Sequence, residues 1–121
     1  MSEIKEVKEI LRKFLEKRGF SVWLDKTLAG FSGIEYTFDL VAVREDAVLC
    51  FILAGEDGNA ILRSTLRAMD FEHAKVFLLL SEVRVDRVPE YLKKVKGLRV
   101  VLFKNVEDLL KKIDSAIAET D

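Results

Sequence analysis

The chain has few of the residues that mark several large protein classes. Its 121 residues include one cysteine, one histidine and one proline. The single cysteine, Cys50, cannot form an internal disulfide, and the single histidine, His73, leaves a His-based metal site or a Ser-His-Asp triad without partners. There is also no Walker motif, zinc-type cysteine spacing or dinucleotide-binding glycine fingerprint. The best-marked enzyme and metalloprotein classes are therefore excluded.

Long hydrophobic runs and a charge excess are missing as well. No apolar segment approaches the roughly 20 residues that cross a bilayer, and charges stand near the N-terminus where a signal peptide is apolar. We therefore expect a cytoplasmic protein with no membrane partner. The formal net charge of −1 argues against a strongly basic polyanion binder, although it is compatible with a local basic patch. Since 50% of the residues are hydrophobic, we expect one domain over residues 1–121.

Apolar residues at helical spacing predict four helices. The first covers residues 3–18 and stops at Gly19. Asp57 is predicted to cap the second helix, and Pro89 to lie in the first turn of the third. Asn105 is predicted to cap the last. The intervening segments have the composition of strands.

Five strands are predicted, and the order of elements sets their directions. The short polar turn at residues 44–46 predicts antiparallel pairing of the strands on either side, whereas helix-connected strands extend a sheet in parallel fashion. The predicted order is α-β-β-β-α-β-α-β-α, a mixed sheet with helices on both faces. The predicted strands are residues 20–25, the strand that holds Asp39, and residues 47–54, 75–80 and 98–103.

The second predicted strand carries an acid, and the third carries none. Because alternate side chains share a face, Glu35, Thr37 and Asp39 are predicted to line one side of the strand. The other side is then lined by Ile34, Tyr36, Phe38 and Leu40. The next strand, residues 47–54, is an unbroken apolar run in which Cys50 is predicted to be a small buried hydrophobe.

This order of elements, together with the stretch Gly33-x-Glu35-x-x-Phe38-Asp39, resembles the PD-(D/E)XK nuclease superfamily over most of the chain. The similarity is greatest to its small archaeal branches, the Mrr-like restriction-endonuclease-like proteins and the Holliday-junction resolvases. The resemblance implies a restriction-endonuclease-like three-layer α/β/α fold. In that superfamily a first-helix Glu, an Asp on the second strand and a Glu-x-Lys pair on the third hold Mg²⁺ and activate water.

This chain matches only some of the superfamily's functional positions. Asp39 matches the metal-binding Asp, with Phe38 in place of the namesake Pro. Phe51-Ile52-Leu53 stands where the Glu-x-Lys pair belongs, and the first-helix acid falls near Lys8, on what we expect to be the polar side of the helix. Glu9 or Glu6 substitutes for that acid only with a change of register. We therefore expect a catalytically degenerate nuclease-like domain, with Asp39 as a remnant and no cofactor.

Two sets of residues keep other functions open. Glu56 and Asp57 follow the apolar strand, and as relocated acids they would make the chain an active Mg²⁺-dependent endodeoxyribonuclease together with Asp39. Asn59, Arg63 and Arg67 form a polar, basic stripe on the second predicted helix, spaced to reach neighbouring phosphates.

The sequence thus leaves three functions open. The degenerate domain acts as a nucleic-acid-binding or assembly module, with DNA as the candidate partner; the alternatives are the active endonuclease and a purely structural interaction domain. The resemblance also implies a homodimer.

Overall fold

The computed structural model describes residues 2–53, 68–71, 74–81 and 90–120. Two α-helices, five strands and a short 3₁₀ helix lie in these ranges. In chain order they are helix α1 (Ser2–Glu16), strands β1 (Ser21–Ala29), β2 (Glu35–Arg44), β3 (Ala47–Leu53) and β4 (Lys75–Ser81), the 3₁₀ helix (Glu90–Lys94), strand β5 (Leu98–Phe103) and helix α2 (Val106–Thr120). Within the described residues, no helix is long and apolar enough to cross a membrane.

The five strands form one mixed sheet in the order β1-β2-β3-β4-β5. The first three strands are antiparallel neighbours, and β4 and β5 follow in parallel. Phe51 on β3 lies opposite Leu40 on β2 and Phe77 on β4, so the middle strand joins the two halves. The predicted mixed sheet is confirmed, and the fold belongs to the three-layer α/β/α class.

Each face of the sheet carries its own hydrophobic core. The first core lies under the two helices, where Leu11 and Leu15 of α1 and Ile113 of α2 pack on the sheet. The second core lies on the opposite face and includes Ala68, which belongs to the helical turn 68–70. Strand β3 contributes to both, since its buried side chains alternate between the faces: Leu49 and Phe51 in the first core, Cys50 and Ile52 in the second.

The predicted stop at Gly19 and the predicted cap at Asn105 are confirmed by their hydrogen bonds, although α1 itself ends at Glu16, two residues before the predicted end. After α1, the N–H groups of Gly19 and Phe20 donate to the carbonyls of Glu16 and Leu15, while Gly19 takes a φ of 90°. This bonding pattern ends a helix with a left-handed residue. Before α2, the side-chain oxygen of Asn105 accepts the N–H of Asp108 at 2.9 Å, which is the predicted N-cap.

Three predictions about local structure need correction. In the part that the structure describes, the third predicted helix is a 3₁₀ helix of five residues with Leu92 as its buried side chain, and the chain turns after it at Gly97, which has a φ of 84°; Pro89 lies outside the described residues. Strand β1 continues past residue 25 to Ala29. On β2, Phe38 belongs to the second core and Leu40 to the first, so the predicted alternation is wrong at this point.

Candidate functional site

Asp39 lies within β2 and has partners for both carboxylate oxygens. Its Oδ2 accepts the backbone N–H of Leu53, at the end of β3, at 2.7 Å. Its Oδ1 lies 3.2 Å from the ammonium nitrogen of Lys8. The Asp39 side chain is 27% exposed, so the carboxylate is held at a half-buried position by one amide and one cation.

Lys8 reaches Asp39 from the helix that covers the first core. Residues three and seven positions later on a helix share one face, and at those positions α1 carries the buried Leu11 and Leu15. The Lys8 side chain therefore runs along the sheet-facing side of α1 and is only 16% exposed. Its ammonium group lies 2.7 Å from Oδ1 of Asp25 as well as near Asp39. The expectation that Lys8 is on the polar side of the helix is wrong.

Asp25 on β1 lies opposite Asp39 on the neighbouring strand β2. The β1–β2 register pairs Leu24 with Leu40 and Lys26 with Phe38, which puts the two aspartates opposite each other. Two like charges in such a cross-strand pair repel, and Lys8 supplies the opposite charge. We call Lys8, Asp25, Asp39 and the Leu53 N–H the Lys8 cluster.

The backbone of the Lys8 cluster explains why the alternation of β2 fails there. Asp25 has a φ of 50°, a left-handed conformation that side-chain-bearing residues adopt at a cost. On both strands the core changes on either side of the aspartates, with Leu24 and Leu40 in the first core and Leu28 and Phe38 in the second. The two strands thus rotate together at the pair.

The charges of the Lys8 cluster keep Lys8 protonated. Burial lowers the pKa of Lys8, but its hydrogen bonds to Asp25 and Asp39 and the negative charges of these two carboxylates outweigh burial, so the pKa lies above its ordinary value of 10.5. The carboxylates therefore have an ammonium group as their cation at neutral pH. Mg²⁺ takes six oxygen ligands, and it would have to displace this group to bind both aspartates. As arranged, the Lys8 cluster does not fit Mg²⁺.

Glu9, another predicted acid in the described residues, has a different partner. Its carboxylate accepts hydrogen bonds from the Arg12 guanidinium of the same helix at 2.6 and 3.1 Å. Among the described residues, no group of three or more histidine, cysteine, aspartate or glutamate side chains could hold a metal ion. The remaining candidates lie outside the described residues: Glu56, Asp57, Asn59, Arg63 and Arg67.

Lys8 and Asp25 are the functional candidates that sequence reasoning missed. The position of Lys8 had a signal, because its spacing to Leu11 and Leu15 puts it on the apolar side of α1. The sequence signal for Asp25 was weaker, because its place opposite Asp39 depends on the register of two strands and on a left-handed residue. The Phe51-Ile52-Leu53 segment contributes a backbone N–H to Asp39, and Phe51 and Ile52 are buried in the two cores.

Comparisons with known proteins bear on the fold. No protein-family model matches the chain. No curated protein matches it either. Among solved structures, the chain is similar to the crystal structure of AF1548, a protein of unknown function, with a TM-score of 0.61 and 15% sequence identity. The match covers 88% of this chain and 65% of that one, so the chain spans less than two thirds of its structural neighbour. At this identity, the likeness shows a shared fold.

Proposed function

We propose that this chain is a catalytically inactive, nuclease-like domain that acts as a nucleic-acid-binding or assembly module. The observation that carries the proposal is the position of Lys8, whose ammonium contacts Asp25 at 2.7 Å and Asp39 at 3.2 Å. An acidic site that holds a catalytic metal leaves its carboxylates open to that metal. Here the ammonium group of Lys8 occupies that position and offsets part of their negative charge.

The third strand supports the same proposal. In the PD-(D/E)XK nucleases that the chain resembles, side chains of the third strand hold the metal and activate the attacking water. In this chain Phe51 and Ile52 point into the two cores, and Leu53 offers its N–H to Asp39. The charge stabilisation that hydrolysis of a phosphodiester needs, several kcal/mol, has no obvious source at this strand.

If the chain is instead an active endonuclease, the two aspartates of the Lys8 cluster must bind a metal ion. Because both aspartates contact one nitrogen, their Oδ1 atoms lie no more than about 6 Å apart, a separation that one Mg²⁺ can close with a modest shift. An active enzyme therefore requires Lys8 to leave the pair. Glu56 or Asp57 would then complete the ligand set.

A cleavage assay separates these two functions. The purified chain is incubated with branched, nicked, single-stranded and duplex DNA in Mg²⁺ or Mn²⁺. We expect no cleavage from the wild type or from Asp39→Asn. Cleavage that Asp39→Asn abolishes and Glu107→Gln retains would overturn the proposal, since Glu107 is an exposed acid in the first turn of α2.

The nucleic-acid part of the proposal has its own test. Fluorescence anisotropy with labelled duplex and branched DNA is measured at several salt concentrations. Binding through phosphates weakens steeply as salt rises, and Arg63→Gln with Arg67→Gln is expected to reduce both the affinity and the salt dependence. The matched control is Lys13→Gln on α1. Absence of binding at low salt would remove DNA as the partner and leave assembly as the function.

A further inference from the structure

Strand β5 forms one edge of the sheet. It is the last strand in the sheet order, and it pairs with β4 along its inner side. Within the ranges that the structure describes, no strand lies on its outer side. An edge strand exposes a row of backbone donors and acceptors that can pair with a further strand. The outer side of β5 is therefore a candidate docking surface.

Hydrogen bonds on either side of β5 show which of its peptide groups face outward. The N–H of Val76 on β4 donates to the carbonyl of Gly97 at 2.9 Å. Because the N–H and C=O of one residue lie on the same side of a strand and alternate along it, every second residue from Gly97 faces β4, while Val100 and Leu102 face outward. The Leu102 carbonyl accepts a hydrogen bond from the Lys112 ammonium, as this orientation requires. The N–H and C=O of Val100 and the N–H of Leu102 thus lie on the open edge.

A groove of about 370 Å³ lies between this open edge and helix α2. It is lined by residues 99–102 of β5 and by side chains of α2 that include Lys111 and Lys112. A smaller depression of about 140 Å³, with Lys75 in its lining, adjoins the groove at Arg99. We call the two together the β5 groove. Strand β5 has six residues, so the groove matches an extended segment of about 20 Å.

The charged side chains that line the β5 groove are cations. Among the described lining residues, Arg99, Lys111, Lys112 and Lys75 carry charge, and none is acidic. The Asp108 carboxylate lies 3.2 Å from the Lys112 ammonium, so the charge of Lys112 is partly offset. Lys111 is exposed at the α2 side of the groove. An occupant therefore needs negative charge on the side that faces α2.

The open backbone groups distinguish between two kinds of anionic partner. A phosphate group in a nucleic-acid backbone accepts hydrogen bonds, so it suits the outward N–H groups but leaves the Val100 carbonyl without a donor. The backbone of an extended peptide presents donors and acceptors in alternation and pairs with both kinds of group. The β5 groove thus favours an acidic peptide over a nucleic acid.

A second copy of this chain is a poor occupant of the same edge. Pairing two β5 strands about a two-fold axis joins the same surface of both copies. Arg99 and Lys111 of one copy then approach the same cations of the other, and like charges facing each other across strands are destabilising. Charge complementarity therefore points to a different segment, with acidic side chains.

We infer that β5 docks an extended acidic segment of another protein, which adds a strand to the sheet. Side chains alternate between the two faces of a strand, and directly opposed residues of paired strands share a face. On the α2 side, acidic side chains of the added strand lie near Arg99 and Lys111. On the other side, apolar side chains pack beside Val100 and Leu102 at the border of the second core. The ligand is a segment that alternates acidic and apolar residues. This inference rests on the assembly half of the proposed function, to which it gives a surface and a class of partner.

Fluorescence anisotropy with a labelled peptide of alternating glutamate and valine tests the inference, with protein concentrations up to about 1 mM to cover weak binding. We expect the wild type to bind and Lys111→Glu to bind about 10-fold more weakly, because an attraction becomes a repulsion of similar size. The matched control is Lys13→Glu, which changes an exposed lysine on α1 and should leave the affinity unchanged. A peptide of alternating lysine and valine should not bind. If the acidic peptide does not bind, or binds Lys111→Glu as tightly as the wild type, the inference is wrong.

Amide hydrogen exchange followed by NMR locates the added strand. In the free protein the outward N–H groups of Val100 and Leu102 should exchange quickly, whereas the N–H of Val101 faces β4 and should exchange slowly. Saturating acidic peptide should slow exchange at Val100 and Leu102 by at least about 10-fold, because each N–H gains a backbone acceptor. Binding without this protection would show attachment through side chains alone and would overturn the pairing with β5.

A labelled DNA duplex provides the competing outcome. If the duplex binds with an affinity that Lys111→Glu lowers, and the acidic peptide does not bind, the β5 groove takes nucleic acid and the inference is overturned. Catalytic inactivity is measured separately by the cleavage assay. The docking surface and the inactivity can therefore each fail while the other holds.

Discussion

At the scale of single residues, Lys8 is the position on which the most depends. Removing one member of a buried ion pair is costly because the partner charge is left uncompensated. In this protein, two aspartates on neighbouring strands depend on the same ammonium group. The stability of the β1–β2 pair and the absence of catalysis that we propose are thus linked through one side chain.

Lys8→Met tests this dependence because it keeps a long apolar side chain and removes the charge. We expect a loss of about 1–2 kcal/mol in the free energy of unfolding at neutral pH, less than for a fully buried pair because Asp25 is 63% exposed. Urea denaturation followed by circular dichroism measures it. Lys13→Met, an exposed lysine on the same helix, is the control, and equal stability of Lys8→Met and the wild type would contradict the expectation.

The pH dependence of this difference has a definite sign. The folded-state pKa of Lys8 is raised above its ordinary value of 10.5, so protonated Lys8 stabilises the folded state more than the unfolded state. That contribution is fully present below the unfolded pKa and is lost as the pH rises through the folded one. The stability gap between wild type and Lys8→Met should therefore be constant near neutral pH and close above pH 10.5. A gap that widened at alkaline pH would contradict the assignment.

At position 30, close contact with Asp70 leaves no room for a side chain, so the residue there is glycine. A Cβ atom at this position would lie 2.2 Å from Oδ2 of Asp70, the oxygen that accepts the Ser32 hydroxyl. Gly30→Ala should therefore cost about 1–3 kcal/mol, the usual range for overpacking. Thermal unfolding measures the cost, and Asp70→Ala should remove most of it in a double-mutant cycle. Additive effects of the two changes would show that the contact is relieved in another way.

At the scale of elements, helix α2 is fixed at its beginning by reciprocal hydrogen bonds. Asn105 accepts the N–H of Asp108, and the Asp108 carboxylate accepts the N–H of Lys104 at 2.9 Å. The bond from Lys104 lowers the pKa of Asp108, so the contribution of this carboxylate to stability is lost as the pH falls through its folded-state pKa.

Asn105→Ala should destabilise the protein by about 1 kcal/mol, because it leaves the Asp108 N–H without its side-chain acceptor. Asn105→Asp, which retains an acceptor oxygen, is expected to stay within a few tenths of a kcal/mol of the wild type. Chemical denaturation of the wild type and the two variants measures these differences in the free energy of unfolding. A loss of equal size in Asn105→Asp would mean that the amide nitrogen, and not the capping oxygen, is what the site requires.

The elements differ in how far the sequence could predict them. Strand β5 and the cap at Asn105 were predictable because their signals are local: a continuous apolar run and a capping residue. The Lys8 cluster was not, because it needs Asp25 and Asp39 to meet through strand register and a left-handed residue that alternation rules do not contain. The hydrogen bonds from Ser32 to the Asp70 carboxylate join residues 38 positions apart, so no local sequence pattern predicts them.

At the scale of the whole molecule, the sheet is organised around β3. This strand pairs antiparallel with β2 and parallel with β4, and its side chains enter both cores. The rings of Phe51 and Phe77 stack across the parallel pair with centroids 4.9 Å apart. Since β3 holds the hairpins and the crossover strands together, it should lose its structure only when the domain as a whole unfolds.

Cys50 provides a direct measurement of that cooperativity. It is fully buried on β3, and burial raises the pKa of its thiol to about 12, so almost no reactive thiolate exists in the folded state. A thiol reagent at pH 8 should label the native protein at least about 10³-fold more slowly than the unfolded chain, given a typical domain stability of 5 kcal/mol or more. The urea dependence of the labelling rate should equal that of global unfolding.

Tyr91→Cys is the control for the labelling reaction, because its added exposed thiol should react at once while Cys50 reacts as in the wild type. Fast labelling of Cys50 without loss of the circular dichroism signal would contradict the expectation. It would show that β3 opens locally and that the two halves of the sheet are not one cooperative unit.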